Sequence, residues 1–260
     1  MSEKALKTLL VVSLVLNIGA IYVGVKAWEY RSHINHFLEK YTRVVHEFSS
    51  RHEHLENNRG LESDTTIPGR VVFVGTQVTA NWPLKQSFPD TEPINRAVEG
   101  QRLAGFLLRF YSDVVELAPQ VVVIEISSFQ FRAQYSIEEN AEWTKTMIDL
   151  AIHNGILPVV PTVIVPRTGT ELEEHQEYRL ADTVRAYNSW LREELAGREL
   201  PICDFALALV DSTGGLAVDY STSAVDINEK GYAVMTEELS RILARYEISA
   251  HLGQAETTAD

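Results

Sequence analysis

The sequence is poor in cysteine and, beyond its first 59 residues, in basic side chains. Cys203 is the only cysteine among 260 residues, which excludes an internal disulfide and any metal site built from several cysteines. Residues 1–59 hold eight Lys or Arg and six Asp or Glu, whereas the remainder holds 15 basic and 30 acidic residues. A body this acidic repels phosphate backbones, which argues against nucleic-acid binding. With 45% hydrophobic residues, the chain can still bury a substantial core.

Charged residues are missing from Leu9–Val25, a 17-residue apolar segment interrupted only by the mild polarity of Ser13 and Asn17. With its flanking residues it would span about 26–30 Å as a helix, enough to cross the core of a bilayer. We therefore predict a single-pass membrane anchor over residues 1–28, with the globular part in the periplasm or outside the cell. The alternative is a cleaved signal peptide ending near 25–27, although the segment is longer than a usual signal core.

Proline and glycine are missing from residues 29–58, which favours a continuous polar helix. Apolar residues recur along it at spacings of three and four, with one interruption: Ile34, Phe37, Tyr41, Val44, Phe48 and Leu55. The pattern predicts either a coiled-coil stalk that joins copies of the chain or a membrane-protein partner, or a helix lying on its own domain. His33 and His36 could share a metal, but no carboxylate or cysteine obviously completes the site, so no metal is predicted.

Residues 59–69 are predicted to be a polar linker, residues 70–248 a globular domain and residues 249–260 a disordered tail. Within the domain, short β-branched runs alternate with helical patterns. Predicted strands are Val71–Gly75, Ile94–Val98, Val121–Ile126, Leu157–Val165 and Pro201–Phe205. Predicted helices are Gln101–Leu117, Ile137–His153, Leu180–Ala196 and Glu229–Tyr246. Continuous apolar strands are typical of a parallel sheet covered on both faces, so we expect a three-layer α/β/α sandwich.

The segment Arg70–Trp82, read RVVFVGTQVTANW, is a predicted strand followed by a turn. With Gly75, Thr79 and Trp82 it resembles the first motif of the SGNH/GDSL hydrolases. In that family the strand ends in Gly-Asp-Ser-(Ile/Leu)-Thr, and the serine attacks an ester carbonyl. Here the Asp-Ser pair reads Thr76-Gln77. A glutamine amide cannot form an acyl-enzyme, because its nitrogen lone pair is delocalised into the carbonyl.

Four further segments follow the same family in order and in spacing. Asn95–Gly100 (NRAVEG) resembles its second block, and Arg109–Pro119 resembles the helix and turn before its third strand. Tyr187–Arg192 (YNSWLR) resembles a helix of many members, and Ile227–Tyr232 (INEKGY) resembles the start of the last helix. The resemblance covers about residues 70–246. It implies the flavodoxin-like parallel sheet of this family.

The resemblance also implies a set of catalytic positions, and most of them hold other residues here. The nucleophile position is Gln77, and the asparagine of the oxyanion hole is replaced by Phe129. The orienting aspartate becomes Ser223 and the general-base histidine becomes Asp226, while the oxyanion glycine is retained as Gly100. Loss of the nucleophile or the base alone typically lowers the rate of triad enzymes by about 10⁴–10⁶-fold. The prediction is a membrane-anchored pseudoenzyme that acts as a scaffold or as a ligand-binding module.

An active enzyme is the alternative that the sequence leaves open. It would be an esterase, or an acyl or acetyl transferase on glycan or lipid esters, with a site rebuilt around Asp226 or around Asp226 paired with Glu125. Thr76 or Thr79 would then be a displaced nucleophile. His175 lies in an insertion that could fold over the site, where it would serve as a base.

A crevice at the carboxyl ends of the strands is expected whether or not the chain is active. Its predicted lining combines amide, aromatic, hydroxyl and carboxylate groups: Gln77, Gly100, Phe129, Gln130, Ser223 and Asp226. Such groups suit a sugar or an acyl-like ligand, so a glycan is a candidate ligand. No cofactor is predicted.

Overall fold

The computed structural model describes residues 3–49, 53–131, 136–167 and 177–249. The chain divides into two compact units, Met1–His46 and Glu47–Asp260. The predicted tail over residues 249–260 lies outside the described residues except for Ser249.

Helix α1 spans Glu3–Ser49 and accounts for the first unit. Its segment Glu3–Leu38 is long and apolar enough to cross a membrane, with a mean hydropathy of 2.2 over an 18-residue window. This length and composition fit both predicted roles, a membrane anchor and a signal sequence.

The apolar stripe predicted along residues 29–58 is exposed on α1 where the structure describes its side chains, whereas Leu55 is half-buried. Ile34, Phe37 and Tyr41 are each more than half exposed, and the rings of Phe37 and Tyr41 stack with centroids 6.5 Å apart. The predicted helix continues to Ser49, and a turn at 53–54 then precedes the short helix α2 (Leu55–Asn58).

The second unit is built on a parallel sheet of the predicted type. Strands β1 (Ile67–Val74), β2 (Glu92–Asn95), β3 (Pro119–Ile124) and β4 (Leu157–Val159) lie in the order β2-β1-β3-β4, and every pair is parallel. This is the flavodoxin-like order in which the chain reverses direction beside β1. Ligands of such sheets bind at the carboxyl ends of the strands, next to that reversal.

Two hydrophobic cores cover the two faces of the sheet. Val72 and Val74 of β1 face a core formed with α5 (Leu103–Asp113), α6 (Ile137–His153) and α7 (Glu177–Gly197). Val71 and Phe73 face the opposite core, which includes α8 (Phe205–Ala208) and α9 (Glu229–Arg245). The alternation follows from the pleat of a strand, whose successive side chains point to opposite faces. The three-layer α/β/α sandwich is therefore confirmed.

Trp82 belongs to the second core. Its ring contacts Phe73, Phe88, Phe205 and Tyr232, with centroids 5.4–6.1 Å away. The short helices α3 (Gln77–Ala80) and α4 (Leu84–Ser87) flank it in sequence. This aromatic contact fixes the segment that follows β1 against the sheet.

The last two predicted strands are shorter than the sequence suggested. Of the predicted strand Leu157–Val165, only Leu157–Val159 is formed, and Pro161, which has no backbone N–H to donate, lies just beyond its end. Pro201–Phe205 forms a single parallel bridge, between Pro161 and Cys203, in place of a fifth strand. Asp204 ends it by capping α8, where its carboxylate accepts a hydrogen bond from the backbone N–H of Leu207.

The segment predicted as a stalk end and linker is packed in part against the domain. Asn58 is 1% exposed, and its amide donates to Asp113 Oδ1 at 2.7 Å and to the carbonyl of Ser112 at 2.9 Å. Its own Oδ1 accepts from Arg96 Nε at 2.8 Å. Strand β1 begins at Ile67, so the predicted linker 59–69 also extends into the sheet.

Candidate functional site

A cavity of about 280 Å³ opens at the carboxyl ends of β1 and β3. Of the six residues predicted to line a crevice there, four do so: Gln77, Gly100, Phe129 and Asp226. The structure places Gln130 and Ser223 outside this lining. Apolar side chains from later segments supply much of the remaining wall, among them Ile126, Pro161, Ile164, Phe205 and Val225. Sequence reasoning missed these residues because they resemble ordinary core positions.

Gln77 is the first residue of α3, directly after the turn that leaves β1. It stands where the family that the sequence resembles carries its nucleophile. Glu125, after β3, fixes this turn from the neighbouring strand. Its Oε2 accepts from the backbone N–H of Thr76 at 2.8 Å, from Thr76 Oγ1 at 3.3 Å and from Thr79 Oγ1 at 3.2 Å.

The Glu125 carboxyl is 5% exposed. Burial raises its pKa above the usual range, although the hydrogen bonds from Thr76 and Thr79 oppose the shift by favouring the charged form. The Glu125 side chain therefore holds the turn after β1. Its ionisation is unfavourable in the folded protein, because the charge is buried.

Gly75 is required by this contact between the two strands. A Cβ at this position would lie 2.3 Å from Thr79 Oγ1 and 2.6 Å from Glu125 Oε2. We expect Gly75→Ala to lower the free energy of unfolding by about 1–3 kcal/mol, the range for overpacking a tight interior. Gly60→Ala is the matched control, because a Cβ there meets no atom within 4 Å. Chemical denaturation of the full chain in detergent measures both, and equal midpoints would contradict the steric account.

Glu125 also predicts a pH dependence of stability. Because its pKa is higher in the folded chain than in the unfolded chain, the folded protein binds more protons between those two values, and stability falls as the pH rises through them. Glu125→Gln removes the charge and keeps an oxygen that can accept from Thr76 and Thr79. The stability of this variant relative to wild type should therefore increase from pH 5 to pH 8.

Denaturation at several pH values checks this expectation. The exposed Glu99, on the turn before Gly100, provides the control Glu99→Gln, which removes one negative charge without changing a buried group. A Glu125→Gln curve parallel to wild type across this pH range would show that ionisation of Glu125 does not limit stability.

The second wall of the cavity contains Gly100 and Phe129, which the sequence resemblance aligns with the family's oxyanion hole. Gly100 has a φ of 72°, a left-handed conformation that favours glycine. Phe129 lies in the 3₁₀ turn Ser128–Phe131. The guanidinium of Arg102 stacks over the Phe129 ring, 4.5 Å from its centroid, and donates to the Phe129 carbonyl at 2.9 Å. At this part of the lining the Phe129 ring offers an apolar surface and no hydrogen-bond donor.

Gln130 lies beneath this wall and is fully buried. Its Nε2 donates to the carbonyl of Gln101 at 2.8 Å, and its Oε1 accepts from the backbone N–H of Leu103 at 3.3 Å. Its side chain therefore positions the start of α5, whereas the sequence predicted a ligand contact.

The third wall carries Asp226, in the loop before α9. Its Oδ2 accepts a hydrogen bond from Ser223 Oγ at 2.6 Å. Ser223 Oγ in turn accepts from the backbone N–H groups of Val225 and Asp226, at 3.2 and 3.0 Å. Arg167 donates to the Ser223 carbonyl. Ser223 therefore stabilises the loop that carries Asp226. The Asp226 side chain lines the cavity.

No histidine, lysine or arginine lines the cavity in the part of the chain that the structure describes. Across all the residues that the structure describes, no three His, Cys, Asp or Glu side chains form a group that could hold a metal ion. His175, the candidate base, lies outside the described ranges. The described lining offers one amide (Gln77), two carboxyl groups (Glu125 and Asp226), hydroxyls and an apolar surface.

Comparison with known proteins places the globular domain in a family. Residues 73–234 match the model of the GDSL-like lipase/acylhydrolase family. A GDSL-like lipase from Bacteroides thetaiotaomicron is 21% identical with a TM-score of 0.68, and the match covers 75% of this chain and 98% of that one. A candidate acylhydrolase from Bacteroides fragilis is 23% identical with a TM-score of 0.64, covering 74% of this chain and 95% of that one. These structures show a shared fold. A comparison with curated proteins gives no match.

Proposed function

The chain belongs to the GDSL-like lipase/acylhydrolase family, and we propose that it is a membrane-anchored member that binds a ligand in its cavity without hydrolysing esters. The observation that carries the proposal is Gln77 at the start of α3. Gln77, which the sequence resemblance aligns with the nucleophile, lines a cavity of about 280 Å³, and its amide cannot attack a carbonyl.

Three threonine hydroxyl groups, two of them in the cavity lining, have structural roles that argue against a displaced nucleophile. Thr76 and Thr79 both donate to Glu125. Thr162 Oγ1 donates to Asp204 Oδ1 at 2.8 Å and accepts from the backbone N–H of Ala206 at 2.9 Å. A hydroxyl becomes a useful nucleophile only when a base accepts its proton, and the described lining residues include no histidine.

One observation favours the alternative of an active enzyme. The short Ser223–Asp226 hydrogen bond pairs a hydroxyl with a carboxylate, as a rebuilt esterase or acyl or acetyl transferase acting on glycan or lipid esters would require. Ser223 lies outside the cavity lining, however, and its oxygen is held by two backbone N–H groups. The same contacts fit a loop that orients Asp226 for binding.

The chemistry of the lining favours a neutral, hydroxyl-rich ligand such as a glycan. Asp226 and Gln77 can hydrogen-bond to hydroxyl groups, and Phe129 offers an apolar surface to the carbon skeleton of a sugar. An anionic ligand is disfavoured, because its charge would approach Asp226 with no basic residue among the described lining to offset the repulsion.

A matched pair of ligands tests the binding proposal. p-Nitrophenyl β-glucoside and p-nitrophenyl β-glucuronide differ mainly by one carboxylate. Calorimetric titration of the full chain in detergent should show the glucoside binding about tenfold more tightly, a difference of about 1.4 kcal/mol. Asp226→Asn should narrow that difference. Asp219→Asn, on an exposed residue outside the lining, should leave it unchanged. Failure of both ligands to bind would leave scaffolding as the remaining non-enzymatic role.

The exposed stripe on α1 supports such a scaffolding role. Ile34, Phe37 and Tyr41 present apolar side chains on one helix, and a second copy of the chain or a membrane protein could cover them. We place residues 29–58 on the same side of the membrane as the globular domain, in the periplasm or outside the cell. Crosslinking in membranes, with Phe37→Lys as the variant that breaks the stripe, would show whether copies associate there.

A further inference from the structure

A second polar site lies inside the domain, away from the cavity lining. It connects the segment before β1 to α5 through an unbroken series of hydrogen bonds. Arg96 Nε donates to Asn58, and Asn58 donates to Asp113 Oδ1. Arg109 Nη1 donates to Asp113 Oδ2 at 2.7 Å, and Arg109 Nε donates to Gln101 Oε1 at 2.6 Å.

These side chains are deeply buried. Relative exposure is 0% for Gln101, 1% for Arg109, 1% for Asp113 and 5% for Arg96. Even so, three nitrogen donors of these side chains have no hydrogen-bond partner within the described part of the chain: Arg96 Nη2, Gln101 Nε2 and Arg109 Nη2. The neighbouring His54 Nε2 is also buried without a partner, and burial lowers the pKa of that imidazole, which favours its neutral form. A buried donor without a partner destabilises the folded state, and the effect is larger when the group is charged.

The buried charges in this cluster do not balance. Arg96 and Arg109 carry two positive charges and share one buried carboxylate, Asp113. Arg70 also lies nearby, but it is paired with Glu92. Glu53 interacts with Arg109 from an exposed position, where solvent screens it. Guanidinium groups stay protonated inside proteins, so the cluster keeps a net positive charge.

We propose that a small monovalent anion, with chloride as the physiological candidate, binds to the unpartnered nitrogens of Arg96, Gln101 and Arg109. An anion accepts from several donors at once and neutralises the excess charge. A water molecule accepts from about two donors and leaves the charge unchanged. The site is independent of the ligand proposed for the cavity.

Anion binding would stabilise the contact between the segment around Asn58 and the cavity wall at Gly100. Gln101 follows Gly100, and its carbonyl accepts from Gln130, which holds the start of α5. A ligand that binds only the folded state raises stability in proportion to the logarithm of its concentration.

Thermal unfolding of the full chain in detergent tests the proposal. Chloride or bromide should raise the midpoint above that in sodium gluconate at equal ionic strength. The expected rise is about 5–10 °C at a halide concentration about 100 times the Kd.

Two Gln→Glu variants distinguish a specific site from a general salt effect. Gln101→Glu places a carboxylate beside Arg109, so its midpoint should not depend on halide. Gln86→Glu makes the same chemical change on the surface and should respond as wild type does. Equal wild-type midpoints in chloride and gluconate, or a full halide response in Gln101→Glu, would overturn the proposal.

A direct measurement covers the case in which Gln101→Glu fails to fold. Crystals of the wild-type chain grown in bromide should give an anomalous scattering peak within hydrogen-bonding distance of Arg96 and Arg109. Clear density for ordered water there, without an anomalous signal, would refute anion binding.

Discussion

Asn58→Ala is expected to lower the free energy of unfolding by about 3–5 kcal/mol, because it leaves several buried polar groups without a partner at about 1–3 kcal/mol each. The substitution removes a partner from Arg96 Nε and from Asp113 Oδ1, both in the interior. It also frees the carbonyl of Ser112. In a domain of this size, the thermal midpoint should fall by about 2–4 °C for each kcal/mol.

Asn57→Ala is the matched control for that prediction. Asn57 is the preceding residue of α2 and is exposed, so its substitution should change stability by less than about 0.5 kcal/mol. Both variants are measured by denaturation of the full chain in detergent. Similar midpoints for the two would mean that residues 54–58 are not part of the folded domain. In a protein truncated to begin at residue 60, the free energy of unfolding should fall by as much as in Asn58→Ala.

Restoring the family's side chains should restore ester hydrolysis. We expect the quadruple variant Gln77→Ser, Phe129→Asn, Ser223→Asp and Asp226→His to hydrolyse an aryl acetate at least about 10²-fold faster than wild type. This is a fraction of the 10⁴–10⁶ that nucleophile and base contribute in triad enzymes. The backbone for this chemistry is already present, because positions 77, 100, 129 and 226 line one cavity.

Two controls assign the gain to the rebuilt site. Gln77→Ser alone should remain at the background rate, because no base would activate the new hydroxyl. The same quadruple variant with alanine at position 77 should also remain at background. A folded quadruple variant no faster than its alanine counterpart would mean that this cavity cannot place a nucleophile and base together.

The sheet and the long helices could be predicted from sequence because their signals are local. Alternate side chains of Val71–Val74 and of Val121–Ile124 face the two cores, as expected for strands buried on both sides. Helix α6 was predicted with both ends correct. Its start carries a capping box, in which Ser136 and Glu139 satisfy each other's backbone N–H groups.

Features that depend on distant partners could not be predicted in this way. Asn58 is a polar residue in a polar segment, and its partners Arg96 and Asp113 lie 38 and 55 residues along the chain. Residues Pro201–Phe205 do not form the predicted fifth strand, because Asp204 caps α8. Its carboxylate also binds Arg192 and Thr162 from other parts of the chain. Neither arrangement leaves a periodic pattern in the sequence.

In the candidate site, too, some features could be predicted from the sequence and others could not. Motif spacing identified Gln77, Gly100, Phe129 and Asp226, because each occupies a fixed position at the end of a strand or in a loop next to a helix. The same spacing could not show which way a side chain points. Gln130 points under the wall toward Gln101, and Ser223 points back into its own loop. The apolar lining from Phe205 and Ile164 depends on how β4 and α8 pack.

The most direct test of the proposed loss of catalysis is aryl-acetate hydrolysis by the full chain in detergent, measured beside Gln77→Ala and Asp226→Ala. The account predicts that all three proteins hydrolyse the ester at the rate of buffer alone. Turnover by wild type that Asp226→Ala abolishes would contradict it and would show an active site rebuilt around that carboxylate.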